Sequence, residues 1–194
     1  MPPTLLWDVM ETLVTDPFRH VMPRFFGLSL PQLLAAKNQH AWIAFEKGLS
    51  SEETYLRGFF QDGRSFDHDA FRARVRASYE WLPGMRELLA ELRARGRAMY
   101  ALSNYPVWYT WIEERLGMSK YVQWDFVSCR TGLRKPDRRA YLNAAACIGR
   151  EPCECLFVDD RSDNCDAART LAMDALLFKD SGSLRVELKA RNLL

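Results

Sequence analysis

Five short apolar runs separated by amphipathic stretches restrict this chain more than any other feature. The first lies within LLWDVMETLV (5–14); AMYALS (98–103), DFVSC (125–129), CLFVD (155–159) and ALLF (175–178) follow. Most lack the polar alternation of a half-exposed strand, so they read as strands buried on both faces. The stretches between them read as helices. PGMRELLAELRARG (83–96) has Pro near its start and Gly at its end, and VWYTWIEERLG (107–117) also stops at Gly. PDRRAYLNAAACIG (136–149) opens on Pro-Asp, and SDNCDAARTLAM (162–173) opens on a Ser-Asp cap. Such alternation predicts an α/β fold, a Rossmann-like parallel sheet with helices on both faces.

The order is interrupted once, between Asp8 and Ser103. SLPQLLAAKNQHAWIAFEKG (29–48), SSEETYLRGFFQDG (50–63) and DHDAFRARVRASYEWL (67–82) read as helices, the second marked by a capping box at Ser50 and Glu53. The expected organisation is therefore an α/β core over residues 1–15 and 83–194, with a small helical cap over 16–82. Ligands of open parallel sheets sit at the carboxyl ends of strands. An insertion directly after the first strand is placed to cover that end as a lid.

Composition excludes several classes of function. With 48% hydrophobic and 27% charged residues, the 194-residue chain can bury a substantial core. A net charge of +2 gives no electrostatic footprint for nucleic acid, and the basic RARVRAS (72–78) reads as the solvated side of a helix. Cys129, Cys147, Cys153, Cys155 and Cys165 form no Cys-x-x-Cys pair and read as reduced, packed thiols. No run is long enough to span a membrane, and MPPTLLWDVM has no basic leader. A cytoplasmic protein is expected, or an organelle-soluble one if a targeting peptide has been removed.

Polar residues stand at four strand ends: Asp8, then Ser103-Asn104, then Lys135 in RKPD, then Asp159-Asp160 followed by RSDN. A parallel sheet brings these ends to one edge. A carboxylate there can take a phosphoryl group as an aspartyl-phosphate. Because carboxylate and phosphate repel, Mg²⁺ held by Asp8 and Asp160 is expected between them. A hydroxyl and Lys135 would neutralise the remaining phosphoryl oxygens.

The motifs DVMET, LSN, RKPD and FVDDRSDN, in this order over nearly the whole chain, resemble those of the haloacid dehalogenase superfamily, phosphatase branch. The resemblance implies Asp8 as nucleophile. Thr12, Ser103 and Asn104 would contact the phosphoryl group, and Lys135 would orient Asp8. The metal would take Asp8, the Met10 carbonyl and Asp160, with Asp159 and Asn164 as ligands or supports. Met10 departs from the pattern, because this position usually carries the aspartate that acts as general acid and base. That help contributes about 10²–10⁴-fold, so slower turnover is expected unless the adjacent Glu11 substitutes.

DVMET, DPFRHVMPRFFG, FEKGLSSEE, FFQDGRSFD, SNYPVWY and EPCECLFVDDR further resemble plant flavin mononucleotide (FMN) hydrolases of this superfamily. That implies a small phosphorylated substrate. Arg19, Lys47, Arg64 and aromatics including Phe18, Trp42, Tyr105 and Trp108 are candidates to meet it, with Met10 and Glu11 beside the reacting end. Two other readings remain open. One is hydrolytic dehalogenation, against which the Asp159-Asp160 pair argues. The other is a binding protein on the same fold with little turnover. Oligomeric state is not legible.

Overall fold

The computed structural model describes residues 2–194. Its five strands are β1 (Thr4–Trp7), β2 (Met99–Ser103), β3 (Gln123–Val127), β4 (Cys155–Asp159) and β5 (Asp174–Leu177). All pair in parallel, in the order β3-β2-β1-β4-β5. The chain winds outward from β1 to β3 on one side, then crosses to build β4 and β5 on the other. The carboxyl end of central β1 is thus a topological switch point, flanked by the ends of β2 and β4.

Both sheet faces are buried, as the apolar runs predict. Leu5 and Trp7 of β1 face the cluster that includes Met85, Leu89, Trp108 and Ile112. These come from α7 (Met85–Ala94) and α8 (Tyr109–Leu116), with Trp108 one residue before α8. Leu6 faces the opposite way, with Tyr141, Ala144 and Ala168 from α10 (Arg138–Cys147) and α11 (Ser162–Arg169). Two further helices belong to the core, the short α9 (Ser128–Thr131) after β3 and the longer α12 (Ser181–Ala190) after β5.

Between β1 and α7 the chain builds six helices and no named strand: α1 (Pro17–His20), α2 (Met22–Phe26), α3 (Leu30–Ala36), α4 (Gln39–Glu46), α5 (Glu52–Arg57) and α6 (His68–Arg76). Here the sequence reading needs correction. The stretch 29–48 is two helices, because Asn38 turns out of helical geometry and caps α4 with its side chain. The break is stabilised from afar, since Asn38 N–H donates to Phe59 O and Gln61 N–H to Ala36 O. The cap of α5 is Ser51, whose hydroxyl accepts from Thr54 N–H, and not Ser50. Helix α11 has no side-chain cap at all; Arg161 precedes it and Ser162 is already helical. Strand β3 starts and ends two residues earlier than expected, and Ser128-Cys129 open α9.

The helical insertion is fused to the core. Phe45, Tyr55, Phe59 and Phe71 belong to the same buried cluster as Trp7 and Trp108. Ser128 Oγ donates to Glu46 O at 2.6 Å, and Arg134 pairs with the Glu46 carboxylate at 2.7 Å. Gly48 (φ +71°) lies against the Cys129 carbonyl so closely that any Cβ would clash. The two connecting segments run side by side, with Thr15 N–H donating to Glu80 O and Leu82 N–H to Leu13 O. We propose these paired connectors as the cap boundary, with residues 16–82 as the cap.

Candidate active site

Asp8 directly follows β1, and its N–H donates to Val158 O of β4 at 2.9 Å. This bond fixes the carboxylate at the switch point. The side chain is almost fully buried. Its Oδ1 accepts from Lys135 Nζ at 2.7 Å, and its Oδ2 accepts from Thr12 Oγ1 at 3.3 Å. Lys135 also donates to Asp159 Oδ2 at 2.6 Å, so one buried ammonium bridges the ends of β1 and β4. Burial pushes the Asp8 carboxyl up, to about 7; Lys135 opposes this, while Asp159 and Asp160 add to it. The two carboxylates hold the Lys135 ammonium above its usual range, against the effect of burial.

Lys135 is itself held by Asn104. Its N–H donates to Asn104 Oδ1 at 2.7 Å, and Asn104 Nδ2 donates to Lys135 O at 2.8 Å. The Asn104 amide therefore grips the backbone of the lysine loop from the end of β2. Ser103, at the same strand end, is buried, and its hydroxyl has no hydrogen-bond partner. An unsatisfied buried hydroxyl beside a carboxylate–lysine pair is what an absent acceptor would satisfy.

On β4, Asp159 is heavily engaged. It accepts from Lys135 Nζ, from both Asn164 Nδ2 contacts (3.1 and 3.0 Å) and from Arg161 N–H (2.8 Å). Asp160 is less engaged; its one ion pair is with Arg19, at 3.5 Å. Burial, then Asp159, raises its carboxyl, against Arg19 and Lys135. Carboxylate oxygens of Asp8, Asp159 and Asp160, one from each, lie within 4.8 Å of one another. Three hard oxygen donors at this spacing fit Mg²⁺. Met10 also lines the cleft, and its carbonyl accepts no backbone hydrogen bond among the described residues.

The cluster opens into a cleft of about 490 Å³ between the sheet edge and the cap. Asp8, Met10, Glu11, Arg19, Asn104, Tyr105, Lys135, Asp160 and Asn164 line it. Thr12, Ser103 and Asp159 lie behind this surface. Of the cap aromatics, Phe18 and Trp42 reach the cleft. Phe25 and Phe26 instead pack among Phe59, Phe66 and Phe71, while Phe45 and Trp108 are buried with Tyr55. Lys47 and Arg64 are not part of the lining; Arg64 stacks over Phe60 at 3.9 Å.

Glu11 adopts a left-handed backbone (φ 55°), which turns its carboxylate to the start of the cap. Oε1 accepts from Asp16 N–H at 2.7 Å and meets His20 Nε2 at 3.2 Å. It fastens the entry to α1. The cleft also contains residues the sequence did not reveal: Asp16, Lys37, Glu46 and Arg134. Burial pushes Asp16 up to about 6; the Phe18 N–H opposes this and Glu11 adds to it.

The haloacid dehalogenase-like hydrolase family matches residues 4–171, a span that includes Asp8, Ser103, Asn104, Lys135, Asp159 and Asp160. The chain belongs to this family. It is an enzyme, a hydrolase of the phosphatase type, as the motif order predicts. A curated relative, the chloroplastic flavin mononucleotide hydrolase 1 of Arabidopsis thaliana, is 46% identical over 96% of this chain and 76% of its own length. A sesquiterpene phosphatase of Aspergillus oryzae is 28% identical over 84% of each. Among solved structures, a family enzyme from Bacteroides thetaiotaomicron in complex with magnesium and inorganic phosphate has a TM-score of 0.75. It is 19% identical, covering 93% of this chain and 96% of that one. This likeness confirms the fold. No helix is long and apolar enough to cross a membrane among the described residues.

Proposed function

We propose that this hydrolase cleaves phosphomonoesters in a Mg²⁺-dependent reaction, with Asp8 attacking phosphorus to form an aspartyl-phosphate. FMN or a closely related small phosphorylated metabolite is the proposed substrate. The observation that carries the reading is the convergence of Asp8, Lys135, Asp159 and Asp160 at the switch point, beside the unpartnered Ser103 hydroxyl.

Each residue then has one task. Asp8 Oδ2 is the attacking atom, because Oδ1 is held at 2.7 Å by the Lys135 ammonium while Oδ2 has only the longer 3.3 Å bond from the Thr12 hydroxyl. Ser103 and Thr12 supply hydroxyls to the phosphoryl oxygens, and Lys135 neutralises the charge that spreads over them. Asp160, the less engaged carboxylate, is the direct metal ligand with Asp8 and the Met10 carbonyl. Asp159 and Asn164 orient Lys135 and the metal shell. Mg²⁺, when bound, supplies the positive charge that lets carboxylate and phosphate approach.

The 46% identity to a flavin mononucleotide hydrolase supports the flavin substrate. The clustered Asp159-Asp160 pair speaks against dehalogenation. Met10 offers no proton, and the Glu11 carboxylate is committed to Asp16 and His20. These two facts favour a slow catalyst. Phosphate release from FMN and phenyl phosphate, with Mg²⁺ and with EDTA, tests the reading. Metal-dependent release supports it; Mg²⁺ binding with no release from either ester would overturn the proposed reaction.

A further inference from the structure

Lys37 lies on the cleft, yet it belongs to none of the motifs that carry the chemistry. Its backbone is fixed where α3 ends: its N–H donates to Leu33 O at 2.9 Å, and its carbonyl accepts from Gln61 Nε2 at 3.0 Å. The side chain is 5% exposed. Its Nζ stands 4.2 Å from the centroid of the Phe18 ring and 4.0 Å from that of Trp42. The acidic neighbours, Asp16 and Glu46, make no hydrogen bond or ion pair with it. Asp16 accepts from Phe18 N–H, and Glu46 pairs with Arg134. The ammonium thus has two close aromatic faces and a third, Phe59, at 5.9 Å for company, and no hydrogen-bond acceptor among the described residues. A buried cation in that state is unfavourable unless something supplies the acceptor. Burial accordingly draws Lys37 down to about 7, although the charges of Asp16 and Glu46 oppose the fall. The open side is the cleft that also holds Asp8 and Lys135.

The geometry points to Lys37 as a specificity-determining residue that donates to an acceptor on the part of the substrate remote from the phosphate. This rests on the reading of the site as a phosphomonoester hydrolase. The class of substrate follows from the surroundings. Asp16 and Glu46 flank the lysine and repel a second anion, so the acceptor is a neutral carbonyl or ring nitrogen. Phe18 and Trp42 wall the position with flat, partly exposed rings, which fit a planar head. The selected ester carries a heteroaromatic ring system whose edge presents such acceptors. Lys37 touches neither Asp8 nor Lys135, so its loss should affect selection and spare the chemical step.

The test compares kcat and KM for FMN and for phenyl phosphate, whose ring carries no acceptor, in wild type, Lys37→Met and Lys37→Gln. The Met side chain keeps the volume, and Gln restores a donor. Loss of one hydrogen bond from a charged donor corresponds to roughly ten- to hundred-fold in affinity. KM for FMN should rise by about that factor in Lys37→Met, with kcat little changed. Lys37→Gln should recover part of the loss, and phenyl phosphate should respond less than about three-fold. Equal losses for the two esters would overturn the proposal, because Lys37 would then serve the phosphate or the fold. Unchanged FMN kinetics, or wild-type cleavage of phenyl phosphate but not FMN, would also overturn it. Failure of the wild type on both esters would sink the hydrolase reading itself. Thermal melting of both variants identifies any loss that reflects misfolding; Lys37→Gln then carries the comparison.

Discussion

Lys135 Nζ lies 2.7 Å from Asp8 Oδ1, and the same ammonium lies 2.6 Å from Asp159 Oδ2. One buried cation therefore balances the carboxylates that end the two central strands. Removing it should leave two buried negative charges uncompensated. Lys135→Met is expected to destabilise the fold by about 3–5 kcal/mol at pH 8. Burial already raises the Asp8 carboxyl against the opposing Lys135 charge, so without the cation Asp8 binds its proton still more tightly in the folded chain than in the unfolded one. The penalty should therefore shrink as pH falls and Asp8 protonates. Urea unfolding at pH 8 and pH 5 measures both quantities, and turnover should fall by at least about 10²-fold.

Asn104 acts on Lys135 through the backbone. Its amide makes two hydrogen bonds with the lysine's N–H and carbonyl. Asn104→Ala should cost about 1–3 kcal/mol of stability, the typical penalty for unsatisfied buried groups. A shift of the lysine of even 1 Å can lower kcat by about 10²-fold. Asn104→Asp keeps the acceptor for Lys135 N–H and should retain more activity than Asn104→Ala. Steady-state kinetics with differential scanning calorimetry separates the two effects.

In the proposed mechanism Met10 takes the place of the acid that would protonate the leaving group, and Glu11 is tied to Asp16 and His20. Met10→Asp should therefore speed alkyl phosphates with poor leaving groups, by up to about 10²–10⁴-fold. Aryl phosphates, whose leaving groups need no proton, should gain much less. A plot of kcat against leaving-group pKa should become flatter in the variant.

Lys37 carries a cost to stability. Its pKa is drawn from 10.5 down to about 7 by burial. Below pH 7 the lysine is charged in both states, and the folded state bears the whole burial penalty. Between pH 7 and 10.5 the unfolded chain binds the additional proton, so stability rises with pH. Lys37→Met removes this dependence. It should raise the melting temperature most below pH 7, with the gain fading toward pH 10. Melting curves across that range, with Asp16 and Glu46 left intact, check the sign.

The strand ends were legible because buried parallel strands announce themselves as short apolar runs, and Asp8, Ser103 and Asp159 each stand at or just after the end of one, whereas Lys135 lies beyond α9 and not directly at the end of β3. Asp8, Ser103 and Asp159 needed no tertiary information beyond the order of the strands. Lys37 could not be read. It lies in a stretch whose composition predicts one continuous helix, and the break at Asn38 depends on hydrogen bonds to Phe59 and from Gln61, over twenty residues away. Glu46 and Arg134 were hidden for the same reason: their pairing joins cap to core across the cleft. The Asn104 clamp on Lys135 joins two loops thirty-one residues apart, and no local pattern signals it.

The central claim is that Asp8 carries the phosphoryl group. It is tested most directly by phosphate release from FMN with Mg²⁺, measured for wild type and Asp8→Asn side by side. Asn is nearly isosteric and its one carbonyl oxygen can still accept from Lys135, with the amide nitrogen facing the Thr12 hydroxyl, yet it is a poor nucleophile. The account predicts release by the wild type and none above background by Asp8→Asn. Comparable release by the two proteins would contradict it.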